Sequence, residues 1–177
     1  MLLSVRRLTG KFNMKILPLV FLITALAVAG SASAQTNTRE AFVSAAVQDG
    51  MTEVDLGKLA LTKSQSSGVK QFAERMVQDH GQANAELESL AKSKNIQVPR
   101  KLDAEHQSMI DRLGSKSGAE FDAAYAQHMA TDHAKAIALF EDATKLGDKE
   151  IAAFAQKTLP TLKEHKRMAD RMTARQQ

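Results

Sequence analysis

The chain has 177 residues, with 24 Lys and Arg against 20 Asp and Glu, five His, and neither Cys nor Trp. Arg6, Arg7, Lys11 and Lys15 are the only charges in residues 1–34, so the rest of the chain carries 20 basic and 20 acidic side chains and no net charge. That balance leaves no basic stripe to neutralise phosphates and argues against a nucleic-acid partner; the lack of Cys excludes disulfides, thiol catalysis, Cys-type zinc sites and a lipoprotein anchor.

At the N-terminus, Lys11 and Lys15 precede a mainly apolar stretch of 14 residues, Ile16–Ala29, which closes on Ala32-Ser33-Ala34. A basic start, an apolar centre and small residues at the cleavage positions predict a secretory signal peptide over 1–34, removed after Ala34. An uncleaved anchor would need ~20 predominantly apolar residues, and Pro18, Gly30, Ser31 and Ser33 interrupt such a span. Met14 as well as Met1 can start a complete signal. Arg6-Arg7 is a weak twin-arginine match, because Thr9 and Gly10 stand where bulky apolar residues are usual. The expected product is one domain, 35–177, exported to the periplasm or beyond, with outer-membrane association as a further destination and no integral membrane span.

In that domain apolar residues recur at spacings of three and four, and no stretch alternates with period two, so the fold class is all-α. The first long helix is predicted over 39–64, with Phe42, Ala46, Leu56 and Ala60 on one stripe. Ser66-Ser67-Gly68 ends it and supplies the N-cap of a second helix over 67–94, whose Val69, Phe72, Met76, Leu87 and Leu90 face inward. After the break at Pro99, Asp103 caps a short helix over 103–113. A third long helix covers 118–146 with Phe121, Tyr125, Met129, Ile137 and Phe140; Gly147 is expected to close it, and Asp148 to cap a fourth over 148–172. Short links within each pair and a long link between them predict two hairpins joined by a crossover, the ferritin-like connectivity of a four-helix bundle. An up-down-up-down bundle with an excursion is the alternative. The stretch Phe72–His80 echoes Tyr125–His133, matching an aromatic, Ala, Met, Asp and His in register.

Each long helix interrupts its apolar stripe with one polar residue near its middle: Glu53, His80, His133 and His165. Buried ionisable groups are costly unless paired, hydrogen-bonded or metal-bound. One carboxylate and three neutral imidazoles form a ligand set for a single zinc, iron, manganese or copper ion, with Asp79, Asp132 and Glu164 placed to orient the rings from neighbouring helices. A hydrogen-bonded polar layer that fixes helix register is the rival reading. Gly50, Gly57 and Gly81 lie near this level, and Pro160 is expected to break the last helix just before His165. Met76, Met129 and Met168 sit one turn from the histidines and would suit copper, although thioethers more often fill cores. His106 and His128 are expected at the surface, and Tyr125 in the core with a hydroxyl in need of a partner. No catalytic residue is singled out.

Glu53-Val54-Asp55-Leu56-Gly57-Lys58-Leu59-Ala60, Phe72 through His80, Phe121 through His133, and Phe154-Ala155 with Leu159-Pro160 and His165 together resemble the exported bacterial proteins of domain-of-unknown-function family 4142. The resemblance implies a ferritin-like bundle, export and no established biochemistry. A carboxylate-bridged di-iron centre is not expected, because Val77, Ala130 and Leu162 occupy the positions three before the histidines where such sites carry Glu. The expectation is therefore an exported, envelope- or stress-related protein that binds a metal ion or small ligand in its core. A structural or protein-interaction module of the periplasm is the alternative, and a metal-dependent oxidoreductase a second one.

Overall fold

The computed structural model describes residues 38–175; the leader expected over 1–34 lies outside them. Five α-helices follow one another: α1 (Arg39–Lys63), α2 (Ser67–Ser93), α3 (Ala104–Gly114), α4 (Gly118–Ala143) and α5 (Lys149–Ala174). There is no strand among the described residues, and none of these helices is long and apolar enough to cross a membrane.

The boundaries follow from local chemistry. Thr38, Ser66, Asp103 and Asp148 each accept a hydrogen bond from an amide of the first turn that begins behind them, at α1, α2, α3 and α5. Asn95, in the left-handed region at φ 55°, turns the chain out of α2. Two expectations need correction. The helix expected to reach residue 146 ends at Ala143 with Thr144 as its C-cap, so Gly147 does not close it, and its φ is not positive. Pro160 does not break α5, which runs through it as one helix. Proline removes the hydrogen bond to Gln156, but both residues are exposed, and the freed carbonyl faces water.

Residue pairs at the helix ends fix the directions. Arg39 and Lys94 both reach Asp148, at 3.1 and 2.9 Å, which joins the start of α1, the end of α2 and the start of α5. At the opposite end Lys63 Nζ donates to the carbonyl of Lys116 at 2.9 Å, next to the start of α4. Helices α1 and α5 therefore run one way and α2 and α4 the other. The hairpins α1–α2 and α4–α5 pack most extensively, with α1 also against α4 and α2 against α5. The link carrying α3 travels the length of the bundle and lies along α1 and α4. This is the ferritin-like crossover.

The apolar core is divided in two. One cluster, at the α5 N-terminal end, contains Phe42, Val47, Leu87, Phe140 and Phe154. The other contains Leu56, Phe72, Met76, Tyr125 and Met129. Glu53, His80, His133 and His165 fall in sequence between these clusters on their four helices, so a polar layer crosses the middle of the bundle.

The glycines near that level differ in purpose. At Gly57 a methyl group would lie 2.8 Å from Val77 Cγ2 and 3.0 Å from the Ala73 carbonyl, so α1 and α2 touch here only because the side chain is missing. At Gly50 it would strike the Asn84 side chain, whereas at Gly81 there is no neighbour within 4 Å. Alanine restores about 1 kcal/mol of helix propensity at any of these sites, but overpacking costs about 1–3 kcal/mol. We predict that Gly81→Ala raises the denaturant midpoint and Gly57→Ala lowers it, measured by urea unfolding of the mature chain.

Candidate metal centre

Helices α2, α4 and α5 bring His80, His133 and His165 together at mid-height. Their ring centroids lie 5.5, 5.4 and 5.3 Å apart, an almost equilateral triangle, and each ring offers one nitrogen within 4.8 Å of the other two. His133 and His165 are each 1% exposed; His80 is half-buried as a residue, but its Nε2 is enclosed. Phe72 closes one side, with its ring edge-on to both His133 and His165.

Hydrogen bonding decides which nitrogens carry protons. His133 Nδ1 lies 3.0 Å from the carbonyl of Met129, which can only accept, so Nδ1 is the donor and Nε2 is left with a bare lone pair. His165 Nε2 donates to Asp79 Oδ2 at 2.9 Å, which leaves Nδ1 bare. His133 Nε2, His165 Nδ1 and His80 Nε2 are all buried and have no hydrogen-bond partner. Burial also holds the rings neutral. It is the main cause that pushes His133 down to about 4 and His80 well below the usual imidazole value, with the neighbouring imidazoles adding to both. His165 is lowered by burial against the opposing pull of Asp79.

Glu53 stands apart. Its carboxyl is 2% exposed, neither oxygen has a hydrogen-bond partner, and Oε1 lies 3.8 Å from His133 Nδ1, the nitrogen that already donates to Met129. It belongs to the same layer but not to the group of three facing nitrogens. Burial first, then the neighbouring Asp132 and Asp49, raises its pKa well above the usual carboxyl value and favours the protonated form. The three acids expected to orient the rings have different neighbours. Asp79 accepts from His165; Asp132 sits beside Glu53 rather than bonding an imidazole; Glu164 pairs with Arg167 and Arg171 on its own helix.

The repeated Asp-His pair explains this pattern. Helices α2 and α4 are parallel diagonal partners, as are α1 and α5, so an approximate two-fold axis along the bundle exchanges them. His80 and His133 are equivalent under it. Asp79 reaching His165 on α5 matches Asp132 beside Glu53 on α1, so Glu53 holds the position where perfect symmetry would place a fourth histidine.

Two spaces adjoin the layer. A small cavity of about 30 Å³ is bounded by Glu53, His80, His133, Asn84, Asp49 and Asp132 together with apolar side chains of the α5 N-terminal half. A wider groove of about 620 Å³ runs beneath α3. His106 and His128 line that groove and are not plain surface residues. His106 bridges Asp103 and Asp49 at 2.8 and 3.2 Å and so ties α3 to α1, while His128 is half-buried with an unpartnered Nε2. Sequence reasoning passed over Asp49, although it lies four residues before Glu53 on the same stripe. Tyr125 is buried in the core and its hydroxyl has no partner. Met76 and Met129 belong to the lower apolar cluster, and Met129 serves His133 through its carbonyl.

The family described as "Domain of unknown function (DUF4142)" matches residues 24–172. Among solved structures, a DUF305 fragment from Deinococcus radiodurans is similar at a TM-score of 0.69 and 16% identity, over 77% of this chain and 95% of that one, a likeness of fold alone. No functionally curated protein matches the chain.

The shifted groups set opposite pH dependences in the metal-free protein. Between about 4 and 6.5 the unfolded chain binds a proton that folded His133 refuses, so this group makes stability rise with pH across that window. Glu53 does the reverse: above 4.5 the unfolded carboxyl has released a proton that the folded one keeps, so stability falls as pH climbs towards the raised value. We predict that the stability difference between His133→Leu and wild type is greatest near pH 4 and shrinks towards 6.5. The gain from Glu53→Gln grows as pH rises above 4.5. Urea titrations across pH check both.

Proposed function

Since the chain belongs to the DUF4142 family, a domain of unknown function, its role has to come from its own residues, and we propose that it is an exported bacterial protein that binds one transition-metal ion at His80, His133 and His165. The observation that carries this reading is that three clustered histidines each place a nitrogen within 4.8 Å of the other two, while His133 Nε2, His165 Nδ1 and His80 Nε2 are buried without a hydrogen-bond partner. Each buried acceptor left unpaired costs about 1–3 kcal/mol. A cation bound by those nitrogens removes that cost. The remaining ring nitrogens of His133 and His165 donate to a carbonyl and a carboxylate, the usual way in which a ligating histidine is oriented and made more basic. An all-imidazole set suits zinc or copper better than manganese.

A polar layer that merely fixes register would be expected to pair its members with one another, and here the imidazoles neither bond each other nor approach Glu53 within hydrogen-bonding distance. Metal-dependent oxidoreductase activity is a second reading, supported by the cavity that abuts His80 and His133, since reactive metal sites keep a position open beside the protein ligands. Export to the periplasm after cleavage near Ala34, and a place in the envelope stress response, complete the proposal; they rest on the leader pattern and on family likeness.

Dialysis of the purified mature protein against zinc or cobalt(II) should leave one ion per chain. His133→Ala and His165→Ala should each abolish binding, and Asp79→Asn should weaken it by about 10–100-fold. Glu53→Gln should leave the stoichiometry unchanged. A metal content near zero in wild type, or one indifferent to loss of His133 and His165, would overturn the reading.

A further inference from the structure

We infer that the groove beneath α3 is the entrance through which a divalent cation reaches the three histidines, with Asp49 and Asp132 as the carboxylates that pass it inward. This rests on the metal-binding reading and adds to it a route and two residues. The inner cavity beside His80 and His133 and the outer groove share only two wall residues, and these are Asp49 and Asp132. They stand on facing helices, α1 and α4, where the two spaces meet. Past them the next polar side chain is Glu53, 2% exposed, lining the inner cavity with both oxygens unpartnered, and beyond it lies His133.

The charges are graded along this path. Arg112, Lys116 and Lys135 line the outer groove and none lines the inner cavity, whereas the carboxylates gather at the junction. Lys116 is paired with Glu120, and one Asp49 oxygen is held by His106 from α3. A cation thus meets a mixed rim and then the facing carboxyl groups of Asp49 and Asp132, an arrangement that concentrates ions at the narrow point. Among the described residues, a second approach is the open side of α2 at Gly81, where His80 is half-buried. That side does not expose the donor atom, because His80 Nε2 is enclosed.

An entrance alters rates without altering the end state, so uptake and release must change together. Stopped-flow mixing of the metal-free mature protein with cobalt(II) follows uptake, and chase with a chelator follows release. Asp49→Asn should slow both by about tenfold, with the equilibrium constant changed less than threefold. Lys135→Glu, an exposed change outside the ligand set, should quicken both, with the gain fading at high salt. Glu86→Gln, on the opposite face with Lys157, should do neither. Should wild type bind cobalt while Asp49→Asn and Lys135→Glu leave both rates unaltered and Gly81→Leu slows them, the route is wrong and the metal site stands. A wild-type protein that takes up no metal overturns the site and the route together.

Discussion

Three neutral imidazoles gathered at mid-height, each with one nitrogen within 4.8 Å of the other two, impose the main constraint on this bundle. The rings of His133 and His165 cannot rotate without breaking the bonds to Met129 and Asp79. A chain selected for stability alone would be better served by leucine at these positions. The layer also divides the hydrophobic core into two clusters. Holding four helices in register across such a gap requires the long apolar stripes above and below it, which is why the helices run to 25–27 residues.

Around that layer the fold distributes its tasks among elements. The crossover makes α2 and α4 parallel, which allows two copies of an Asp-His pair to meet across the bundle axis. It also lays α3 over α1 and α4, where His106 fastens it to Asp49. At Glu53 the two-fold symmetry is broken: three histidines gather, and the fourth position carries a buried carboxyl beside the cavity. Phe72, from the apolar cluster of Leu56 and Tyr125, packs its ring against His133 and His165.

Much of this was legible in residue patterns. Periodicity of three and four, with Ser66, Asp103 and Asp148 as caps, located all five helices, because each of these signals acts within a turn of its own residue. Glu53, His80, His133 and His165 stood out because each broke an apolar stripe, and periodicity alone reports which face a residue occupies. What periodicity does not report is rotation and distance between helices. For that reason Glu164, next to His165 in sequence, looks equivalent to Asp79 in the residue pattern, although it turns outward to Arg167 and Arg171. His106 and His128 read as surface residues because the groove that covers them forms only when α3 packs on α1 and α4, a matter of tertiary placement. Pro160 illustrates the same limit: its effect on the helix depended on whether Gln156 faced water.

The direct measurement is nitrogen-15 NMR of the five imidazoles in the metal-free mature protein, with zinc then added. The structure predicts His133 protonated at Nδ1 and His165 at Nε2, with His133 Nε2 and His165 Nδ1 bare. On addition of zinc those two nitrogens and one nitrogen of His80, and no nitrogen of His106 or His128, should shift together at one equivalent. The opposite tautomers, or resonances that ignore the metal, would contradict the arrangement of lone pairs on which the site depends.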